Sequence, residues 1–209
     1  MTKVILASAS RGRLDTLRRA GIEPDVVVSG VDEDAIAADS PAELAAALAQ
    51  AKGAAVAETI ASSVLTVMIA CDSLLELDGR ACGKPGTPER AREQWRKMRG
   101  RIGLLHTGHH VIVREPGHPD RDDTRVATTL VEFADATDAE IDAYVTTGEP
   151  LGVAGGFTID GYGGAFVTRV DGDPHNVVGL SLPLLRTMLS ALGVPIHTLW
   201  QPGEAEAVR

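Results

Sequence analysis

The segment at residues 63–77, SVLTVMIACDSLLEL, constrains the fold more than any other part of the sequence. A continuous apolar run of this kind predicts a strand in a sheet that is covered on both faces. Asp72 interrupts the run. Because an isolated buried carboxylate is costly, we expect Asp72 to be paired, hydrogen-bonded, bound to a metal or functional. A purely structural hydrogen bond at a strand end is the alternative for this residue.

Segments typical of strands and helices flank this run on both sides. Apolar residues make up 44% of the chain and aromatic residues only 3%, which favours an α/β protein whose helices cover a sheet through aliphatic contacts. Strands are also predicted at residues 4–7, 24–30 and 165–170, together with a turn at residues 78–79 and a hairpin of residues 109–113 and 126–133 around the polar loop 114–125. Helices are predicted at residues 13–20, from residue 41, from residue 88, at 137–145 and at 182–192. The glycine-rich segment 147–164 predicts either backbone held close to a neighbour or a flexible lid.

Length, charge and cysteine content restrict the class of protein. A chain of 209 residues suits one domain, which we place at residues 1–199, followed by a polar tail at residues 200–209 that we expect to be frayed. The net charge of −9 argues against stable, non-specific binding to nucleic acid. No apolar run has the length of a secretory signal or a membrane span, so we expect a cytoplasmic protein that does not bind membranes. Neither the two cysteines, Cys71 and Cys82, nor the pair His106 and His110 has the spacing of a disulfide or a metal site.

The stretch VILASASRGRLDTL, residues 4–17, joins a short apolar strand to a helix through hydroxyl residues. Such a junction directs backbone N–H groups and the positive end of the helix dipole outward, which favours an anion. Ser8 and Ser10 add hydroxyl groups, and Arg13 adds a planar guanidinium suited to phosphate oxygens. The alternative is that the serines only cap the helix, since serine is a preferred capping residue.

Four charged residues point to a cation and phosphate site. Glu33 follows a predicted strand, and with Asp72 it offers the hard oxygen ligands that suit Mg²⁺ or Mn²⁺ together with substrate phosphates. Lys52 and Lys84 lie in alanine-rich and glycine-rich surroundings, from which each ammonium can reach a polar cleft. Taken singly, each lysine and Glu33 could be an ordinary solvated residue. Together with the first loop, they predict a site for a triphosphate and a metal ion.

Six segments between residues 4 and 192 resemble, in order, the motifs of the Maf family of nucleoside triphosphate pyrophosphatases, also called septum formation inhibitor proteins: LASASRGRLDTL, VDED, LAQAKGAA, IACDSLLELDGRACGKPGTPERAREQW, TGEPLGVAGGFTIDGYG and GDPHNVVGLSLPLL. The resemblance implies an α/β fold like that of inosine triphosphate pyrophosphatases, in which an elongated mixed sheet and its helices form two lobes around a cleft. It also implies a homodimer. The implied reaction is hydrolysis of a nucleoside triphosphate, standard or modified, to the monophosphate and pyrophosphate with a divalent metal, Mg²⁺ or Mn²⁺.

The resemblance also assigns roles to single residues. Ser8, Ser10 and Arg13 match the phosphate loop of the family, and Glu33 matches its metal-site glutamate. Asp72 matches the catalytic acid, which holds the metal or takes the proton of the attacking water. The remaining matches are Lys52 and Lys84, the lysines that neutralise charge on the phosphate oxygens.

The sequence departs from the family pattern in the first loop, at Ser73, in the glycine-rich segment and in GRIGLLHTG, which lacks the Thr-His pair often seen after Gly-Arg but keeps Thr107. Arg11 and Gly12 stand where the family has Pro and the first of two Arg residues, and Gly152 and Val153 stand where Asp-Lys is common. The positions that the resemblance links to selection of the base are Gly12, Ser73, in place of Thr, and Asp160, in place of a frequent Gln. Because a carboxylate only accepts hydrogen bonds, Asp160 should prefer a base edge that presents a donor.

Two other functions compete with the enzyme. A nucleotide-binding regulator of cell division with weak or lost catalysis would explain the missing Asp-Lys pair. A serine hydrolase that uses Ser10 is a weaker hypothesis, because the chain lacks a Gly-x-Ser-x-Gly turn.

Overall fold

A computed structural model of the chain describes residues 2–201. The apolar run forms the longest central strand, β3 (Thr66–Leu77), whose first seven side chains are all buried. It pairs antiparallel with β5 (Ile102–Arg114) from Thr66 to Glu76. The prediction of a covered strand that carries Asp72 is therefore confirmed.

The sheet combines parallel and antiparallel strands. Its order is β2-β1-β3-β5-β6-β7, with β4 paired to β3. The parallel part consists of β2, β1 and β3, and all the other pairs are antiparallel. The remaining strands are β1 (Lys3–Leu6), β2 (Asp25–Val26), β4 (Arg80–Cys82), β6 (Arg121–Phe133) and β7 (Val167–Asp171).

The helices begin where capping residues predict. Ser40, Thr87 and Thr137 accept hydrogen bonds from the backbone of the first turn of their helices. The described residues form six α-helices: α1 (Arg11–Arg19), α2 (Pro41–Thr59), α3 (Pro88–Met98), α4 (Asp138–Thr146), α5 (Pro174–Val178) and α6 (Leu182–Ala191). None of them is both long and apolar enough to cross a membrane.

The core divides into clusters at the two ends of the long strands. At one end α1 and α6 cover one face of the sheet with residues such as Leu17 and Leu185, and α2 covers the other face. At the far end α3 and α4 pack Trp95, Ile141 and Tyr144 against β3, β5 and β6. Between these ends, Ser73 and Thr107 interrupt the apolar face with hydroxyl groups. An elongated mixed α/β sheet flanked by helices, as the sequence predicts, is confirmed.

The edge of β3 opens between its two neighbours. On this side β3 pairs with β1 only as far as Ile69, and it pairs with β4 only from Leu75. Within the described part of the chain, residues 70–74 therefore have no partner strand on this side. Asp72 and Ser73 lie in this opening and point to opposite faces of the sheet, because side chains alternate along a strand.

Two predicted segments differ from the structure. The strand predicted at residues 24–30 is only Asp25–Val26, since β1 ends at Leu6 and offers no further backbone partners. Beyond it, Val28 is exposed and Gly30 adopts a positive φ of 65°. The predicted hairpin is longer than expected, because the polar residues 121–125 pair with β5 instead of forming a loop.

The C-terminal segments also add detail to the predictions. Helix α5, which the sequence did not reveal, is a single short turn, and the predicted strand at 165–170 is β7. The glycine-rich segment forms three short 3₁₀ turns, Glu149–Gly152, Ala154–Gly156 and Tyr162–Phe166. Most of the predicted frayed tail, residues 202–209, lies outside the described residues.

Candidate active site

A cleft of about 720 Å³ lies at the open edge of β3. It is lined by the loop after β1, the segment after β2, α2, the middle of β3, the loop after β4, the glycine-rich segment and the end of α5. The structure brings all the site residues predicted from the sequence to this cleft: Ser8, Ser10, Gly12, Arg13, Glu33, Lys52, Asp72, Ser73, Lys84 and Asp160.

Lys52 joins the two predicted acidic residues. Its Nζ donates to Asp72 Oδ1 at 2.5 Å and lies 2.7 Å from Glu33 Oε1. The side chains of Lys52 and Asp72 are each only 10% exposed, whereas that of Glu33 is 46% exposed. Helix α2 packs across β3 and carries Lys52 on its buried face, which explains how a lysine in an alanine-rich helix reaches the cleft.

The pKa of Glu33 reflects this arrangement. Partial burial raises the pKa, but the hydrogen bond and charge of Lys52, with the charges of Lys84 and Arg13, lower it below its usual value. Glu33 is therefore held as a carboxylate at neutral pH. Lys84 has no salt-bridge partner among residues 2–201, so its ammonium is available to a ligand.

The chemistry of these oxygen atoms fits a divalent cation. Two carboxylates converge on one positive centre, the ammonium of Lys52, so the fold already places a cation between them. Within the described part of the chain, no three His, Cys, Asp or Glu side chains gather as a metal-binding group. A Mg²⁺ or Mn²⁺ ion at Glu33 and Asp72 would thus need phosphate or water oxygens as its other ligands, which is common for Mg²⁺.

Arg13 makes more hydrogen bonds within the protein than the sequence suggests. Its Nε donates to the carbonyl oxygen of Gly179 at 2.8 Å, Nη1 donates to Ser8 Oγ at 3.0 Å, and Nη2 donates to Ser73 Oγ at 3.1 Å. Arg13 is only 8% exposed. Since a guanidinium has five N–H groups, two remain for a ligand. Arg13 therefore fixes the loop after β1 against β3 and the turn after α5.

A chain of buried hydrogen bonds continues from Ser73. Ser73 Oγ lies 2.9 Å from Thr107 Oγ1, and Thr107 donates to the carbonyl oxygen of Asn176 at 3.1 Å. Thr107 has a single hydroxyl proton, so Ser73 is the donor to Thr107. The side-chain nitrogen of the fully buried Asn176, which has two protons to donate, lies within hydrogen-bond distance of three acceptors on β5 and β6. Asn176 has no role in the sequence-based prediction, and its place in the motif GDPHNVVGLSLPLL was the available signal.

Gly12 lies in close contact with the turn after α5. A Cβ atom at this position would lie 3.1 Å from Val178 Cγ1 and 3.3 Å from the Val178 carbonyl oxygen. A larger residue here would need Val178 to move. Gly12, where the family has an Arg, therefore allows a tight contact between α1 and Val178, which lines the cleft together with Val177.

The glycine-rich segment forms another wall of the cleft and contacts the loop that carries Lys84, since the Gly86 N–H donates to the Leu151 carbonyl oxygen at 2.9 Å. Trp95 Nε1 donates to the Gly156 carbonyl oxygen at 2.8 Å, and a Cβ at Gly155 would lie 2.8 Å from Leu75 Cβ. Gly155 also has a positive φ of 70°, which other residues rarely adopt. Close approach to the sheet and to α3 therefore explains the glycines. Asp160 is exposed on the cleft side of this wall.

A mixed α/β sheet that opens onto hydroxyl groups, a helix N-terminus and two converging carboxylates is typical of proteins that bind a phosphorylated ligand. The chain belongs to the Maf-like protein family, which matches residues 3–192. The resemblance read from the six motifs is thereby confirmed.

Curated relatives cover almost the whole chain. The nucleoside triphosphate pyrophosphatase of Mycobacterium sp. (strain JLS) is 54% identical over 206 residues, which span 95% of this chain and 98% of that protein. The protein of the same name from Cutibacterium acnes is 53% identical over 203 residues, 95% of each chain. Among solved structures, the Ham1 protein of Staphylococcus aureus is 17% identical, with 64% of this chain and 73% of that chain covered and a TM-score of 0.37.

Proposed function

We propose that this protein hydrolyses a nucleoside triphosphate to the nucleoside monophosphate and pyrophosphate in the cleft at the open edge of β3. The observation that carries the proposal is the buried contact of Lys52 with both Asp72 and Glu33 beside the phosphate loop. Membership of the Maf-like family supports the same reaction. So do the two relatives named nucleoside triphosphate pyrophosphatase, which are 53–54% identical to this chain.

The reaction follows from the types of residue in the cleft. Water attacks the α-phosphorus, the bond from this phosphorus to the bridging oxygen breaks, and pyrophosphate leaves. Asp72 is the base that accepts the proton of the water or a ligand of the cation. When bound at Glu33 and Asp72, Mg²⁺ or Mn²⁺ would supply positive charge to the phosphate oxygens.

The cations of the protein stabilise the charge that develops in the transition state. Lys84 makes no salt bridge within residues 2–201, so its ammonium serves the non-bridging and leaving oxygens. The ammonium of Lys52 has three N–H groups, of which two are directed at Asp72 and Glu33, so one remains for the same oxygens. Ser8, Ser10 and the first N–H groups of α1 hold the phosphates in place. We assign the neighbourhood of Gly12, Ser73 and Asp160 to the base, because these residues lie along the same cleft.

A panel of nucleoside triphosphates with Mg²⁺ or Mn²⁺ tests the reaction. Equal amounts of monophosphate and pyrophosphate are expected, and hydrolysis should stop when the metal is removed with a chelator. Release of orthophosphate without pyrophosphate would contradict the proposed bond cleavage.

A catalytically weak, nucleotide-binding regulator of cell division is the second candidate. It is favoured by the uncharged residues Gly152 and Val153, which line the cleft where the family commonly has Asp-Lys. Tight binding of a triphosphate without turnover, across the whole panel of substrates and metals, would support this function over the first.

We further propose a cytoplasmic homodimer that does not bind nucleic acid stably. Family membership supports the dimer, and the net charge of −9 opposes non-specific binding to nucleic acid. Sedimentation analysis, with and without added DNA, tests both statements: one dimeric species is expected, and a monomer or a comigrating complex with DNA would contradict them.

A further inference from the structure

The carboxylate of Glu149 is the centre around which part of the glycine-rich wall is folded. Its Oε1 accepts hydrogen bonds from Tyr144 Oη at 2.9 Å, Thr158 Oγ1 at 2.7 Å and the Gly163 N–H at 2.9 Å. Its Oε2 accepts from the N–H of Tyr162 at 2.9 Å. Glu149 itself is not among the residues that line the cleft. Its four hydrogen bonds therefore join α4 to the two ends of segment 158–163.

Two glycines allow the segment to close around this carboxylate. A Cβ at Gly161 would lie 2.3 Å from Glu149 Oε2, and a Cβ at Gly163 would lie 2.6 Å from Tyr144 Oη. Neither position has room for a side chain. The sequence of this segment is thus matched to a carboxylate at residue 149.

Glu149 is suited to this position because a carboxylate only accepts hydrogen bonds, and all four of its neighbours are donors. Burial raises the pKa of Glu149, but the hydrogen bonds from Thr158, Gly163, Tyr162 and Tyr144 lower it below its ordinary value. A glutamine would place an NH₂ group against one of the donors. The conformation of segment 158–163 therefore depends on the negative charge of Glu149.

The segment held by Glu149 includes three residues of the cleft wall, namely Thr158, Ile159 and Asp160. Asp160 lies between two points that are bound to the carboxylate, the Thr158 hydroxyl and the Tyr162 N–H. A displacement of either point moves the Asp160 carboxylate relative to the other residues of the cleft.

We propose that Glu149 is a positioning residue for selection of the nucleobase, which it controls by fixing segment 158–163 and thereby Asp160 in the cleft. The inference rests on the proposed function, since it concerns the choice among substrates of that reaction. Glu149 does not line the cleft, so it acts through the backbone of the glycine-rich wall.

Replacing Glu149 by Gln is the main test, with Glu140→Gln as the matched control. Glu140, in α4, also accepts hydrogen bonds from a backbone N–H and a hydroxyl group, but it is exposed and caps the helix. For Glu149→Gln we expect KM for the preferred triphosphate to rise about tenfold with kcat changed less than threefold, and the kcat/KM ratio between two bases to change about fivefold. Glu140→Gln should leave both KM and this ratio unchanged.

A double substitution tests whether the effect passes through Asp160. Asp160→Asn should also change the preference among bases, and Glu149→Gln added to Asp160→Asn should change it no further, because coupled residues are not additive. Full additivity of the two changes would overturn the proposal.

Hydrogen exchange separates this inference from the proposed function. The amides of Tyr162 and Gly163 should be protected in the parent protein and should exchange at least tenfold faster in Glu149→Gln. Faster exchange with an unchanged base preference would show that Glu149 is merely structural and would overturn the proposal. Unchanged exchange would show that Glu149 does not fix segment 158–163, which would also overturn it. If the parent protein hydrolyses no triphosphate, the proposed function is wrong. The inference on Glu149 is then tested by comparing the equilibrium binding of non-hydrolysable triphosphates with different bases to the parent protein and to Glu149→Gln.

A smaller change covers the case in which Glu149→Gln does not fold. Tyr144→Phe removes one of the four donors and keeps the ring in its T-shaped contact with Trp95. It should shift the base preference in the same direction by about twofold. No shift in this folded variant would overturn the proposal.

Discussion

The two walls of the cleft are built by different means. The charged wall consists of side chains from four separate segments, Glu33, Lys52, Asp72 and Lys84, three of which are joined directly by ion pairs. The glycine-rich wall is a single segment that carries Asp160, and its backbone is held in place by the Glu149 carboxylate and the Trp95 indole. Substitutions in the first wall should therefore affect the chemistry, whereas those behind the second should affect binding and selectivity.

The largest effect is expected for Asp72→Asn. The change keeps the size of the side chain but removes its negative charge and its capacity as a base, so the rate of pyrophosphate release should fall about 10³-fold. Asp78→Asn, at the exposed turn after β3, should retain full activity. If Asp72→Asn kept more than a tenth of the activity, Asp72 would not carry the reaction.

The ion pair of Lys52 with Asp72 should affect the free energy of unfolding as well as the reaction rate. Lys52→Met leaves Asp72, which is 7% exposed, without its buried partner, and we expect the free energy of unfolding at pH 7 to fall by ~3 kcal/mol. In Lys52→Met/Asp72→Asn most of this loss should be recovered, since no uncompensated charge remains. Denaturant unfolding of the three proteins measures the coupling, and equal losses in the single and double variants would contradict it.

His109 links the stability of the scaffold beneath this wall to pH. Burial lowers the pKa of His109 from 6.5 to about 4, and the charge of Arg13 lowers it too, although the Thr107 carbonyl oxygen opposes the shift. The carbonyl oxygen of Thr107 accepts from Nδ1 at 2.9 Å, while Nε2 accepts from the Ser181 N–H at 2.8 Å, so the ring is held neutral. The folded state then binds fewer protons than the unfolded state below pH 6.5.

The contribution of His109 is therefore fully present above pH 6.5 and is lost as the pH falls towards 4, by ~3 kcal/mol in total. The measurement is the free energy of unfolding between pH 7.5 and pH 4 in the parent protein and in His109→Gln. The variant should be less stable at pH 7.5 but should lose less stability on acidification. The buried His110, whose pKa burial also lowers, is present in both proteins, so its effect cancels. Parallel pH profiles would be the contrary result.

The sequence predicted the residues of the charged wall far better than the contacts of the glycine-rich wall. Asp72 in an apolar strand and Lys52 in an alanine-rich helix are out of place by residue type, so each draws attention without knowledge of the fold. The contacts of Arg13 with Gly179, 166 positions away, and the Ser73–Thr107–Asn176 chain depend on which segments meet in space. No local pattern encodes such contacts.

The same limit applies to strand lengths. The segment at 24–30 has the residues of a strand, but an edge strand can only extend as far as its neighbour, and β1 ends at Leu6. Conversely, residues 121–125 look like a polar loop, yet they pair with β5 because a strand at the surface tolerates charged side chains on its exposed positions. Pairing partners, which the sequence does not display, decide both cases.

The smallest expected effect concerns the second support of the glycine-rich wall. Trp95→Phe keeps an aromatic ring near Phe133, Tyr144 and Phe166 but removes the indole N–H that donates to the Gly156 carbonyl oxygen. The free energy of unfolding should fall by ~2 kcal/mol, because a buried acceptor loses its partner and the smaller ring leaves a gap.

The kinetic consequence of Trp95→Phe distinguishes the two walls. KM should rise about threefold while kcat stays within twofold, since the charged residues are untouched. Trp200→Phe is the matched control, because Trp200 is the other tryptophan of the chain and is 55% exposed. Steady-state kinetics of both variants settle the comparison: a fall in kcat as large as that of Asp72→Asn would mean that the glycine-rich wall takes part in the chemistry and does not act only on binding.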